Sequence, residues 1–168
     1  MSDRDRVQEL ADKQAITELI HRYCRAVDRL DVELGHTIWH EDAIADYGDV
    51  YRGDGRGFID HVCAMHRRAL AHTHQITTLT IELDGERAGS EAYVYSVLRF
   101  QSGETIKQVS TWGRYIDRWS KRNGRWGIDK RVALRDMNEM RDIAEAPPGE
   151  GRRDRDDPSY IVLQGAGQ

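Results

Sequence analysis

The chain has 168 residues, 39% hydrophobic and 32% charged, with a net charge of -4 and a pI near 6.0. That size and balance describe one soluble globular domain with room for a small-molecule pocket. They exclude general nucleic-acid binding, which leaves a basic footprint, and no apolar run reaches the ~20 residues that span a bilayer.

The N-terminus, MSDRDRVQELADK, is charged and lacks the apolar core of a secretory signal, so the expected location is the cytoplasm. Cys24 and Cys63 lie in helical, partly apolar surroundings. They read as small buried hydrophobes rather than a disulfide or a metal site.

In chain order, the first strong signal covers residues 12–30. Ala15, Ile16, Leu19, Ile20, Tyr23, Ala26, Val27 and Leu30 recur every three or four residues and form one apolar face of a helix. Asp12 is the expected N-cap, with residues 3–10 a separate lead-in helix. A short helix over about 31–39, capped by Asp31, turns Leu34, Ile38 and Trp39 inward. AIADYG and VYRG read as two short strands, and Gly53-Asp-Gly-Arg-Gly57 as a turn. Phe58, Ile59, Val62, Cys63 and His66 then share one face of a third helix over 56–69.

From residue 73 the texture changes. THQITTLTIEL, RAGSEAYVYSVLRFQ, ETIKQVSTWGRYIDRWS and GRWGIDKRVALRDMNE are β-branched and aromatic runs. Asp84-Gly85, Ser102-Gly103 and Asn123-Gly124 separate them as turn signals. Helices followed by a meander define an α+β fold, with helices packed on one face of a curved, mainly antiparallel sheet. Such a cone can hold a small molecule. Residues 1–144 form this domain. Residues 145–168 carry all three prolines and dense charge, and read as an extended or partly disordered arm. Tyr160, Ile161, Val162 and Leu163 could dock it on the body or on a neighbouring subunit.

Three kinds of chemistry compete. His72 and His74 are two apart in a strand, so both could ligate one ion, with His40, Glu41 or Asp42 as the third ligand. GDGRG is glycine-dense but lies outside a βαβ unit and lacks the Lys-Ser/Thr of a phosphate loop. No Gly-x-Ser-x-Gly elbow is present. An acid–base pair is the third option. Asp28, at the flank of the apolar stripe, could fix the tautomer of His74 and stabilise its imidazolium. Strand parity complicates this, since His74 shares a face with Ile76, Thr78 and Thr80 while Leu79, Ile81 and Leu83 lie opposite. Either the polar face lines the pocket or a bulge switches faces after His74.

DKQAITELIHRYCRAVDRLDVELGHTIWHEDAIADYGDVYRG resembles the opening of the SnoaL-like branch of the nuclear transport factor 2-like, cystatin-like superfamily. The tail GRRDRDDPSY resembles the end of many members. The resemblance implies a cystatin-like cone: N-terminal helices on a strongly curved, mixed but mainly antiparallel sheet enclosing a pocket. It implies fold more strongly than reaction, because this superfamily hosts several chemistries. Its scytalone dehydratase, bile-acid 7α-dehydratase and hexachlorocyclohexane dehydrochlorinase branches share an Asp–His dyad, which falls on Asp28 and His74. Their pocket tyrosines fall on Tyr23 and Tyr47.

The expected function is therefore a cofactor-independent lyase or isomerase, dehydratase-like, acting on a small cyclic or polycyclic molecule. His74, Asp28, Tyr47 and Tyr23 would be catalytic; Trp39, Tyr51 and Trp112 would form the pocket wall. No metal, nucleic-acid or membrane partner is expected, and the chain should form a dimer or trimer. A non-catalytic binding or assembly subunit is the rival reading, and a cyclase or epoxide-hydrolase-type enzyme a further one.

Overall fold

The computed structural model describes residues 2–144 and 149–165. Helix α1 runs unbroken over Asp3–Arg29, capped by Ser2, whose hydroxyl accepts from the Asp5 N–H while the Asp5 carboxylate accepts from the Ser2 N–H. The expected break at Asp12 is absent. Nothing from residue 3 to 11 is glycine or proline, so the helix continues through it. Asp12 serves elsewhere, accepting from Lys121 Nζ and Trp126 Nε1 at 2.7 Å each, and so ties the helix to the far hairpin.

Asp31 does cap the second helix, α2 (Val32–His36), by accepting from the Leu34 N–H at 3.1 Å. That helix ends earlier than expected, and Trp39 opens strand β1 (Trp39–Asp46). A hairpin leads to β2 (Arg52–Asp54). The glycine cluster proves to be a junction rather than a free turn. Gly53 and Asp54 end β2, Asp54 caps helix α3 (Gly55–His66), and Gly55 packs against the Trp39 ring where no side chain would fit.

Four long strands follow: β3 (Ala71–Asp84), β4 (Arg87–Ser102), β5 (Thr105–Arg122) and β6 (Arg125–Ile143). The open sheet has the order β2-β1-β6-β5-β4-β3, antiparallel except where β1 lies parallel to β6. Asn123 and Gly124, both with positive φ, make the tight β5–β6 turn. The core lies between the helices and the sheet, centred on Ile16, Ile20, Phe58, Ile59, Trp119 and Ile128.

A bulge decides the parity question on β3. The β3–β4 register slips between Ile76 and Thr78, so Thr77 is extra. His72, His74 and Ile76 before it, and Leu79, Ile81 and Leu83 after it, are all the more buried residues of their alternation. The second of the two alternatives therefore holds.

Part of the C-terminal segment differs from an extended arm. Pro158–Gly165 forms helix α4, and Tyr160 is buried with its hydroxyl donating to Asp31 at 2.8 Å. Arg25 supports it by a bond to Ser159 and by stacking over the Tyr160 ring. Low apolar content does not prevent docking here, because ion pairs and charged hydrogen bonds hold the segment. Ile161, Val162 and Leu163 remain exposed, and residues 145–148 and 166–168 of the expected arm lie outside the described residues. Among the described residues no helix is long and apolar enough to cross a membrane.

Candidate functional site

Asp28 sits in the last turn of α1 and is 8% exposed. Its Oδ1 lies 2.8 Å from His74 Nδ1, and its Oδ2 accepts from the His74 backbone N–H at 2.9 Å. The start of β3 is thus clamped to the end of α1 by both oxygens of one carboxylate. A carboxylate can only accept, so Nδ1 carries the proton and Nε2 keeps its lone pair.

His74 lines a cavity of about 590 Å³ on the helix-covered face of the sheet. Tyr23 and Tyr47 also line it, their hydroxyls 2.8 Å apart. Phe58 stacks on Tyr47 at 3.6 Å between ring centroids and fixes its orientation. Burial pushes the Tyr23 phenol well above its ordinary pKa, with Tyr115 and Tyr47 adding to the effect. Burial also raises Tyr47, opposed by the Arg131 guanidinium. Both therefore remain protonated at neutral pH. One donates to the other, and one proton is left for a ligand.

Arg131 is the component that sequence reasoning missed. It is fully buried on β6, with Nε and Nη2 each 2.7 Å from the Asp117 carboxylate on β5. Its guanidinium lies 4.3 Å from the Tyr23 ring centroid and 4.2 Å from that of Tyr115. A positive charge therefore sits beneath the tyrosines. Counting back from the Asn-Gly turn pairs Asp117 with Lys130. The bulge between Arg118 and Trp119 shifts the register by one and brings Arg131 opposite instead.

Two more histidines stand beside His74. Ring centroids of His66 and His72 are 4.0 Å apart, and those of His72 and His74 are 4.4 Å apart. Both additional rings line the cavity. Burial lowers the His66 pKa to about 4, helped by repulsion from His74 whenever that ring takes up a second proton and by the Arg153 guanidinium, and burial also holds His72 far below its ordinary value.

The three aromatic residues expected on the pocket wall lie off it. Trp39 is fully buried in the core, too deep to meet a ligand. Tyr51 packs on Phe58 and His61 and donates to the Asp54 carbonyl, while Trp112 packs on Tyr95. The wall is aliphatic instead: Val27, Val62, Val94, Leu98 and Val109 line it. The third metal ligands suggested by sequence also lie elsewhere, His40 against Ser120 and Arg125, Glu41 near Arg56 and Asp42 on Arg122. Asp28, His72 and His74 do bring one donor atom each within 4.8 Å of one another. Both Asp28 oxygens are already engaged by His74.

Helices packed on an open, mostly antiparallel six-stranded sheet define an α+β fold of the cystatin-like type. The chain matches the SnoaL-like domain over residues 8–132 and belongs to that family, within the nuclear transport factor 2-like superfamily. No curated protein matches it. Among solved structures it is similar to a type 2 hexachlorocyclohexane dehydrochlorinase (LinA), with 21% identity, a TM-score of 0.74, and coverage of 88% of this chain and 99% of that one. A scytalone-dehydratase-like protein from Novosphingobium aromaticivorans gives 18% identity, a TM-score of 0.70, and coverage of 84% and 95%. A cystatin-like protein from Nostoc punctiforme gives 23%, 0.62, and coverage of 75% and 92%. At these identities the likeness concerns the fold.

Proposed function

We propose that the protein is a cofactor-independent lyase or isomerase that acts on a small cyclic or polycyclic organic molecule, with His74 as base and Asp28 as its orienting partner. The observation that carries this reading is the 2.8 Å contact from His74 Nδ1 to Asp28 Oδ1 at the wall of the cavity. Nε2 then takes a proton from a carbon next to a carbonyl or leaving group. Asp28 stabilises the imidazolium as it forms. The Tyr23–Tyr47 pair, with Arg131 beneath it, donates to the carbonyl or to a departing hydroxyl. Two of the structurally similar proteins bear names that denote eliminations, a dehydrochlorinase and a dehydratase, which agrees with this chemistry. The binding-only rival expects Asp28 and His74 to stand apart or a closed cavity to be lacking, and a turnover screen separates it from catalysis. A cytoplasmic homo-oligomer completes the reading, and light scattering tests the oligomer.

The decisive experiment screens cyclic hydroxy-carbonyl and halogenated compounds by mass spectrometry for loss of water or hydrogen halide, then repeats the active reaction with His74→Ala. Turnover should fall about 10²–10⁴-fold with the circular dichroism spectrum unchanged. A folded variant with full turnover would refute the base assignment.

A further inference from the structure

Of the three stacked histidines, the proposed mechanism uses only His74. His66 closes α3 and is 7% exposed, and His72 is the second residue of β3. Among the described residues neither ring makes a hydrogen bond. Each has its Nδ1 sealed from solvent and without a partner. Burying a polar group in that condition is unfavourable, so two apolar side chains would pack this wall at lower cost. The other nitrogen of each ring, Nε2, is not sealed and also makes no hydrogen bond among the described residues, so these two unpaired Nε2 atoms at one cavity wall are what a ligand can satisfy.

We propose that His66 and His72 form a second polar subsite of the cavity, which receives a neutral acceptor oxygen of the ligand, a carbonyl or an ether, beside the atom on which His74 acts. The tautomers follow from the burial. A buried N–H without a partner is worse tolerated than a bare lone pair, so the sealed Nδ1 atoms are the unprotonated ones and the protons sit on Nε2. Nε2 is also the only ring nitrogen that cavity contents can meet. Burial keeps both rings neutral, so they offer donors without charge, which suits a neutral oxygen. Val62, Met65 and Leu98 line the cavity with them, and Asp28, whose carboxylate lies within 4.8 Å of a His72 ring nitrogen, already has both oxygens engaged by His74. A hydrocarbon or an alkyl halide would leave both donors unpaired, so the subsite selects oxygenated rings over halogenated ones. This rests on the proposed function only in taking the same cavity as the ligand site.

The test titrates 1-indanone and its carbonyl-free counterpart, indane, into the full-length protein. Two donors should favour the ketone about ten-fold. The ketone alone should move the Nε2 signals of His66 and His72 in long-range ¹H–¹⁵N spectra. His72→Phe keeps the ring shape and should bring the two affinities within about two-fold by weakening the ketone alone, with His66→Phe as an independent second variant. Melting curves confirm that each variant folds. Equal wild-type affinities, or equal losses for both ligands, overturn the subsite. So does micromolar zinc binding that moves both Nε2 signals without a ketone preference, because the pair would then be a metal site. The ketone preference should survive in His74→Ala. Turnover surviving in that variant instead removes the acid–base reading and leaves the subsite standing.

Discussion

Asp28 holds His74 at two points, the ring through Oδ1 at 2.8 Å and the backbone N–H through Oδ2 at 2.9 Å. One carboxylate therefore sets the tautomer of the imidazole and the position of the strand that carries it. Asp28→Asn preserves the shape but can present its amide to Nδ1 as a donor, which favours the wrong tautomer. Turnover should drop on the order of 10²-fold or more, chiefly in kcat. Measuring kcat and KM separately checks this, and a change confined to KM would count against the orienting role.

The hydroxyl pair makes a separate prediction. Tyr47→Phe leaves the stacking on Phe58 in place and removes one end of the 2.8 Å bond to Tyr23. If the pair donates to developing negative charge, kcat falls by about 10²–10³, while stability drops by only about 1–3 kcal/mol because the buried Tyr23 hydroxyl loses its partner. Equal kcat in a well-folded variant would show that the pair is structural.

Arg131 and Asp117 predict a large effect on stability. Both side chains are completely buried, and removing one leaves the other as an uncompensated charge. Asp117→Ala should destabilise by about 3–5 kcal/mol in urea titration. The double variant Asp117→Leu/Arg131→Met should recover part of that loss. A double variant as unstable as the single would mean that packing, not charge, dominates.

Stability should also depend on pH through His66. Its folded pKa is lowered to about 4 against an ordinary 6.5, so between these values the unfolded chain binds the extra proton. Stability from this group is full above pH 6.5 and declines as pH falls toward 4, with a total loss of up to about 3 kcal/mol. His72, held down by the same burial, acts in the same direction. Urea titrations at pH 7.5, 6 and 5 should show the decline, and His66→Gln should flatten it. An unchanged slope in that variant would mean that other groups control the acid limb.

The C-terminal segment reaches the same region. Arg153 donates to the backbone carbonyls of Asp28, His66 and Ala69, at 3.4, 3.0 and 3.0 Å. It therefore joins the end of α1 to the α3–β3 connection. Arg153→Ala should cost about 1–2 kcal/mol and speed amide hydrogen exchange over residues 67–74. Unaltered exchange there would show that the clasp contributes nothing.

The sequence by itself determined the elements with strong local signals. The 3.6-residue stripe of α1, the Asp31 cap, the Asn123-Gly124 turn and the four β-rich runs all form as read, because each depends on a few neighbours in the chain. The likeness of residues 12–53 identified the family, and with it came Asp28 and His74. Boundaries were less legible. Asp12 reads as a cap in the sequence because its true partners, Lys121 and Trp126, are distant along the chain.

Only the tertiary structure decided which face each strand residue takes. The bulge at Thr77 places His72 and His74 on the same face as the apolar half of β3, and the slip at Arg118 buries Arg131 against Asp117. Strand side chains alternate with period two, so one inserted residue reverses every assignment beyond it. No local pattern announces such an insertion. For the same reason Trp39, Tyr51 and Trp112 looked like pocket wall, while the tertiary packing turned the Val27, Leu98 and His66 side chains to the cavity instead.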